Sequence, residues 1–443
     1  MQRMMRAARD LRDDDLTRRV LASSGVLFGS NSLSLVLTVA QSILAARLLG
    51  PAGYGMVAIV MAYSSTVNGL LSFRMSELVV RYAGEYLDRS ESTRAAAVVK
   101  AAALAEAGVS GIAFLFVLAT ANVAAQYIAK SPANGWMFVV FALGLLVNFN
   151  TETSTGVLQV LGRIRIQGPI QLAQSAVTLI LMVAALLTHG SVALVLYIYL
   201  LGKLINGLAM VASAAILLTR RLGAGWWKAR LGVLPRPREL ITFAVSSNLS
   251  ATAILIFRES EVLWVGYFLT AEAAGFYKAA HGLAGLLAVP ANPLILSTYP
   301  EINRLAVQGA WMKLRAFLRR ITSLAVAYNL LLGLGFVVLG RWLLGIYGPE
   351  YVAGYPALLA LLVGLVFNYS LFWNRPLLLA LGMPEYAVQV VVLTGLAKTL
   401  LAFAIVPSFG ILAAAGLLCF YYAASVGLMA WRGVRELRAR GAA

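Results

Sequence analysis

The sequence consists of long apolar stretches separated by short polar connections. A helix needs roughly 20 mostly apolar residues to cross a hydrocarbon core of about 30 Å, and twelve stretches have that length. The alternation of apolar and polar residues that is typical of membrane strands is not found. The pattern predicts an all-α polytopic membrane protein, with spans one to twelve at residues 21–46, 55–80, 97–121, 136–160, 166–188, 192–218, 239–268, 273–299, 318–340, 355–382, 386–407 and 409–431.

The composition agrees with this class. Of the 443 residues, 60% are hydrophobic and 12% are charged, whereas soluble domains are about 45–50% apolar and about 25% charged. Cys419 is the only cysteine, so an intrachain disulfide and a cysteine-based metal cluster are excluded. The sequence contains no Walker motif for binding ATP phosphates. We expect neither a cofactor nor a metal ion.

The net charge of +18 is distributed asymmetrically across the predicted membrane. One side receives almost all of the basic residues, and the opposite side receives Arg47, Lys130 and Arg341. Basic residues next to spans are enriched on the cytoplasmic side, so both termini are expected in the cytoplasm and the protein in the inner membrane. The basicity then reflects topology, and no nucleic-acid partner is expected. The basic side holds the cations within residues 3–19, 81–94, 163–165, 220–238, 304–320 and 432–440.

Two pairs of similar segments indicate an internal duplication. "LLGPAGYGMVAI" (48–59) resembles "FLTAEAAGFYKAA" (268–280), and "VLQVLGRIRIQGPIQLAQ" (157–174) resembles "LLLALGMPEYAVQVVVLT" (377–394). The pairs are separated by nearly the same number of residues, as expected for a repeated six-helix bundle. The predicted divisions are a basic N-terminal segment (1–20), a first lobe (21–218), a cytoplasmic linker (219–238), a second lobe (239–431) and a cytoplasmic tail (432–443).

Two stretches resemble a known family. "ARLLGPAGYGMVAIVMAYSSTVNGLLSFRMSELVVRY" (46–82) and "RESEVLWVGYFLTAEAAGFYKAA" (258–280) are similar to bacterial oligosaccharide and O-antigen flippases of the multidrug/oligosaccharidyl-lipid/polysaccharide (MOP) exporter superfamily. In this resemblance Glu261 takes the place of an acidic residue that is usually aspartate, and Arg258 lies one residue before the common arginine position. The resemblance implies two six-helix lobes around a central cleft. It also implies translocation of undecaprenyl-diphosphate-linked sugars to the periplasmic leaflet for cell-surface polysaccharide.

Ionisable residues within the spans are the candidate functional groups. Each costs about 2.5–3.5 kcal/mol at a helix centre on insertion scales, so it is expected to face protein or a wet cavity. Arg258 and Glu261 are three residues apart on one helix face and can pair, whereas Glu259 points elsewhere. Arginine binds phosphate oxygens through two parallel hydrogen bonds and stays charged when desolvated. The predicted diphosphate-binding residues are Arg258, Arg74, Arg375 and Lys278, and the predicted charge-partner or ion-coupling residues are Glu261, Glu259, Glu106 and Glu152.

Each of these residues could instead form an ion pair that only holds helices together. That structural role is the preferred interpretation for Lys203, Lys398 and Glu77, the last of which lies three residues after Arg74. Prolines also predict bends, because proline removes a helical hydrogen bond. Pro290 is expected to weaken span eight, and Pro300 to end it.

Three other functions fit the sequence less well. A membrane enzyme of polysaccharide assembly would need a sizeable outside domain, but the longest outside connections are only about a dozen residues. An ion-coupled drug/cation antiporter of the same superfamily would need an anionic site, and span one contains no acidic residue. The peptidoglycan-precursor flippases usually have two further helices. The expected partners are lipid-linked oligosaccharide and membrane lipids, with a glycan polymerase and glycosyltransferases as candidate protein partners.

Overall fold

A computed structural model of the chain describes residues 15–72, 74–147, 149–234, 257 and 260–442. Helices are the only extended regular elements in these ranges, which confirms the all-α prediction. In the first half, a π-helical turn at Val79–Ala83 lies between helices, and the helices are Asp15–Leu71, Met75–Leu78, Gly84–Asp88, Ser92–Tyr127, Gly135–Val147, Thr151–Val160, Gln167–Leu187 and Val192–Leu222. In the second half they are Glu261–Phe268, Ala271–Gly285, Ala288–Val307, Trp311–Tyr347, Tyr355–Ser370, Asn374–Ala380 and Pro384–Ala442.

Two of these helices each contain two predicted spans. Asp15–Leu71 changes direction at Gly50, where φ is 65°, and Pro384–Ala442 does so at Gly410, where φ is also 65°. Positive φ is readily adopted by glycine because it has no Cβ. Eight helical stretches in the described part of the chain are long and apolar enough to cross a membrane, and the two longest contain 57 and 58 residues. Those two lengths fit a pair of spans each.

Spans four and ten are interrupted, although the apolar pattern predicts continuous helices at 136–160 and 355–382. Span four stops at Val147 and resumes at Thr151, and span ten stops at Ser370 and resumes at Asn374. Asn and Thr side chains near the first break compete with the helix for backbone hydrogen bonds. At the second break Asn374 donates its Nδ2 to the Leu371 carbonyl oxygen at 2.7 Å. The prediction of two uninterrupted helices was wrong because it used only the apolar character of the residues and not the hydrogen-bonding side chains among them.

Spans two and eight are also interrupted. The helix Asp15–Leu71 ends before Arg74, which precedes the helix Met75–Leu78. In span eight the break lies between Gly285 and Ala288, before Pro290. The helix that follows continues through Pro300 to Val307, so the prediction that Pro300 ends the helix was wrong.

The contacts within the described residues group the chain into two compact units. One comprises residues within 1–42, 71–119 and 139–249, and the other comprises 43–70, 120–138 and 250–443. The adjoining ends of spans one and two therefore belong to the same unit as the second half of the sequence. The lobe boundaries at 218 and 239 remain predictions.

Within the second of these units the two repeated Gly-aromatic segments pack directly on one another. A Cβ atom at Gly55 would overlap the carbonyl oxygen of Ala271 and lie 2.7 Å from the backbone nitrogen of Gly275. The Tyr351 ring packs against Tyr54 with a centroid separation of 6.1 Å, and its hydroxyl donates to the Ala46 carbonyl oxygen at 3.2 Å. Only glycine allows the two backbones to approach this closely.

Candidate functional site

Several of the predicted intramembrane charges lie beside helix ends. Arg74 precedes the helix Met75–Leu78, Glu152 lies in the first turn of Thr151–Val160, and Glu261 begins the helix Glu261–Phe268. Arg375 lies in the first turn of Asn374–Ala380. A broken helix leaves backbone N–H and C=O groups without helical partners, and discontinuous spans form substrate sites in many transporters. The breaks therefore indicate where a polar site can exist.

A cavity of about 490 Å³ lies beside the start of the helix Glu261–Phe268. It is formed by one face of span two and by residues of spans seven and eight. Its polar lining combines a carboxylate, an ammonium group, an imidazole and three hydroxyl groups. The lining residues are Ala58, Met61, Ala62, Ser65, Thr66, Glu261, Val262, Tyr277, Lys278 and His281.

Glu261 in this lining is ion-paired with Lys398 of span eleven. Both side chains are buried, with relative exposures of 6% and 3%, and the Lys398 ammonium group also donates to the Phe257 carbonyl oxygen. The predicted partner Arg258 lies outside the described residues, as does Glu259. Because Lys398 neutralises Glu261, the acidic residue does not make the cavity anionic. Lys398 is 137 residues from Glu261, and no local sequence pattern joins them.

Tyr277 contributes a polar atom that the sequence did not single out. Its side chain is fully buried, and its hydroxyl has no hydrogen-bond partner within the part of the chain that the structure describes. The Tyr277 and His281 rings are stacked with their centroids 6.0 Å apart. A buried hydroxyl without a partner costs free energy, so this group is available to a ligand or a water molecule in the cavity.

A second cavity, of about 240 Å³, surrounds Arg375. Tyr421 lines this cavity and also lies under Lys398, with the ammonium nitrogen 5.4 Å from the ring centroid. Trp373, the neighbour of Asn374 in the sequence, is buried and donates its Nε1 to the Thr322 hydroxyl at 2.7 Å. The cavity is lined by Ile295, Asn368, Tyr369, Phe372, Asn374, Arg375, Pro376, Val391, Tyr421, Tyr422, Ser425, Val426 and Met429.

In the first half, two acidic residues surround the start of the helix Thr151–Val160. The Glu106 carboxylate accepts from the backbone N–H groups of Glu152 at 2.9 Å and Thr153 at 2.8 Å, and from the Thr153 hydroxyl at 2.7 Å. Glu152 accepts from the Ser76 hydroxyl at 2.5 Å. The structure therefore gives Glu106 a capping role at the broken helix. Ion coupling by these residues remains a prediction.

Arg74 has a different environment. Its guanidinium lies 2.8 Å from the Glu77 carboxylate, and the two side chains are 53% and 45% exposed. This matches the predicted pairing of Glu77 with Arg74. Lys203 is held over the Phe141 ring at 4.6 Å, which agrees with a packing role. No group of three or more potential metal-ligating side chains occurs among the described residues.

Comparison with known proteins places the chain in a family. Residues 20–306 match the family described as polysaccharide biosynthesis protein. The chain belongs to that family. Inner membrane protein YghQ of Escherichia coli (strain K12) is 22% identical over 346 residues, which cover 77% of this chain and 96% of that protein.

The fold is also similar to that of solved membrane transporters. An inward-facing multidrug resistance MATE family transporter of the MOP superfamily has a TM-score of 0.77 at 14% identity, covering 92% of this chain and 95% of its own. A MOP superfamily transporter from Pyrococcus furiosus has a TM-score of 0.66 at 15% identity, with 97% and 98% covered. The family resemblance and the twelve-span, two-bundle fold class are thus confirmed. The chain is a multi-pass membrane protein of the polysaccharide biosynthesis protein family, and its fold is similar to that of these transporters.

Proposed function

We propose that the chain is an inner-membrane flippase that moves undecaprenyl-diphosphate-linked oligosaccharide by alternating access, for cell-surface polysaccharide synthesis. The observation that carries this proposal is the cavity of about 490 Å³, whose lining includes Lys278 and the hydroxyl of Tyr277. Membership of the polysaccharide biosynthesis protein family supports the same substrate class.

The charge balance of the cavity favours an anionic ligand. Glu261 contributes one negative charge, its buried partner Lys398 contributes one positive charge, and Lys278 contributes a second positive charge. With His281 counted as neutral, these described groups carry a net charge of about +1. A lipid diphosphate is stabilised by this balance, because charges interact more strongly where water is excluded.

The hydroxyl groups suit the sugar part of the substrate. Tyr277 supplies a buried hydroxyl without a partner in the described chain, and Ser65 and Thr66 lie in the same lining. Hydroxyls both donate and accept hydrogen bonds, as sugar hydroxyls do. The polyprenyl tail would stay in the lipid, where its apolar surface is already solvated.

The runner-up function is an ion-coupled multidrug or cation antiporter, which the fold of the MATE transporters permits. Such a carrier would need a negative charge in its cation site. In the cavity, Glu261 is the only carboxylate among the lining residues described, and Lys398 is bound to it. The electrostatics of this site therefore favour the anionic lipid over the cationic drug.

Alternating access requires a contact that opens. The close approach of Gly55 to Ala271 and Gly275 joins the ends of spans one and two to span eight, on the side predicted to face the periplasm. Release to that side would require these backbones to separate. Gly55 and Gly275 have no side chains that would interlock at this contact. The backbones can therefore separate by losing van der Waals contacts, and no buried ion pair has to break.

The test is transport in proteoliposomes. The wild-type chain should translocate a fluorescent polyprenyl-diphosphate oligosaccharide, and it should not accumulate a cationic dye. Lys278→Gln should lower the initial rate of lipid translocation by about tenfold, a change equivalent to about 1.4 kcal/mol. Lys278→Arg should retain most of the rate, because it keeps the charge and the phosphate donors.

Lys313→Gln is the matched control, since it removes an exposed lysine from the predicted cytoplasmic side. Its rate should equal that of the wild type. Dye accumulation without lipid translocation would overturn the proposal in favour of the antiporter. The predicted role of Arg258 is tested in the same assay, where Arg258→Ala should be slower than Arg258→Lys; an unchanged rate for Arg258→Ala would remove this residue from the mechanism.

A further inference from the structure

A third cavity lies entirely within the first unit and contains a cluster of arginines. Its volume is about 600 Å³, and it lies at the ends of spans two, four and six on the predicted cytoplasmic side. Arg163 follows the turn after span four, whereas Arg220 and Arg221 occupy the last turn of the helix Val192–Leu222. Three exposed arginines from two separate elements thus line one pocket.

The pocket contains little negative charge to balance them. Asp88 is the only acidic residue among the lining residues described, which leaves a net charge of about +2. Within the described chain, no ion pair joins Arg163, Arg220 or Arg221 to a carboxylate. The nearby Glu85 is engaged with Arg89 at 2.7 Å.

In the second half of the sequence, the arginine equivalent to Arg220 has hydrogen-bond partners within the protein. The offset of 220 residues that relates Leu161 to Leu381 also relates Arg220 to Arg440. Arg440 donates its Nη2 to the Leu381 carbonyl oxygen at 3.0 Å and its Nε to Glu436 at 3.0 Å. The first-half counterpart of Glu436 is Ile216. The internal partner of the second half is therefore missing from the first.

We propose that this pocket binds a phosphate group, carried either by an anionic lipid headgroup or by a soluble phosphate, at a site separate from the transport cavity. Arginine suits this ligand because its planar guanidinium presents paired donors to phosphate oxygens. The apolar part of the lining, which includes Val80, Leu87 and Leu217, suits the start of an acyl chain. Basic pockets between spans on the cytoplasmic side are suited to anionic headgroups.

The experiment measures binding to the purified full chain by native mass spectrometry, with phosphatidylglycerol, phosphatidylcholine and inorganic pyrophosphate as separate probes. The triple variant Arg163→Gln, Arg220→Gln, Arg221→Gln should lose phosphatidylglycerol affinity by at least about tenfold. Phosphatidylcholine binding should not change. Asp88→Asn should raise phosphatidylglycerol affinity, which a purely structural role of the arginines would not predict.

The matched control removes the same charge elsewhere. Arg315, Arg319 and Arg320 are exposed on the helix Trp311–Tyr347, and their replacement by glutamine should leave binding unchanged. Loss of phosphatidylglycerol binding alone in the triple variant would identify a lipid site, whereas loss of pyrophosphate binding as well would identify a general phosphate site. Equal phosphatidylglycerol affinity in the wild type and the triple variant would overturn the proposal. If the triple variant does not fold, Asp88→Asn is compared with the wild type. An unchanged phosphatidylglycerol affinity in Asp88→Asn would also contradict the proposal.

Discussion

Spans four and ten are broken within about three residues of equivalent positions in the internal repeat, but the two breaks carry opposite charges. In span four the resumed helix is capped by Glu106 and contains Glu152. In span ten the resumed helix begins with Asn374 and Arg375. The duplication has kept the interruption of the backbone while the side chains have diverged. Both halves thus share the break in the backbone. The residue beside the break differs, an acidic Glu152 in the first half and a basic Arg375 in the second, so the two breaks favour ligands of opposite charge.

The two halves also differ in how their ion pairs are placed. The Glu261–Lys398 pair of the second half is almost completely buried, whereas the Arg74–Glu77 pair of the first half is about half exposed. Removing one partner of a buried pair leaves an uncompensated charge in a low dielectric. An exposed pair is screened by water and contributes little. The following predictions test these differences, starting with the largest expected effect.

The largest effect on stability is expected from Lys398→Met, which removes the cation that is ion-paired with Glu261. We expect a loss of about 3–5 kcal/mol in the free energy of unfolding, the usual cost of breaking a buried ion pair. The measurement is denaturant unfolding of the protein in detergent. The double variant Glu261→Gln, Lys398→Met should recover most of the loss, because no buried charge remains. A double variant no more stable than Lys398→Met would contradict the pairing.

Glu106→Ala should come next. It leaves the backbone N–H groups of Glu152 and Thr153 and the Thr153 hydroxyl without their acceptor, and a buried donor without a partner costs about 1–3 kcal/mol. We expect a destabilisation of about 2–3 kcal/mol in the same unfolding assay. Glu106→Gln keeps one oxygen and should cost less. Equal stability of Glu106→Ala and wild type would show that the carboxylate does not cap the broken helix.

Arg375→Gln tests whether Arg375, at the break in span ten, contributes to substrate binding or to the stability of the fold. If Arg375 binds the lipid diphosphate, transport should fall by about tenfold, equivalent to about 1.4 kcal/mol, while the free energy of unfolding changes little. Arg375→Lys should retain more transport than the glutamine variant. Thr155 occupies the equivalent first-half position by the offset of 220 residues, so Thr155→Val serves as a control. A fall in stability without a specific fall in transport would assign Arg375 to packing.

The smallest effect is expected at the exposed pair. Glu77→Ala should change the free energy of unfolding by less than about 1 kcal/mol, because both side chains are accessible to water. The effect should shrink further at high salt, where exposed charges are screened. Unfolding curves at low and high salt provide the measurement. A cost comparable to that of Lys398→Met would mean that Arg74 and Glu77 are buried in the membrane-embedded protein.

The sequence by itself determined the class of the protein. The apolar stretches require membrane spans because hydrophobicity depends on each residue's own composition and adds along the chain. The internal duplication could be read in the same way, since Gly53 and Gly275 recur in similar local sequence. The positions of the intramembrane charges were also visible, because an arginine or glutamate is conspicuous in an apolar run.

Only the tertiary structure decided what those charges do. Arg258 is the near neighbour of Glu261 along the helix, yet the described partner of Glu261 is Lys398, 137 residues away. Glu106 likewise caps a helix that begins 45 residues later, and Tyr277 has a buried hydroxyl whose lack of a partner is a property of its surroundings. Burial and pairing depend on which helices pack together. Apolar periodicity specifies that a helix must be buried in lipid or protein, but it does not specify its neighbours.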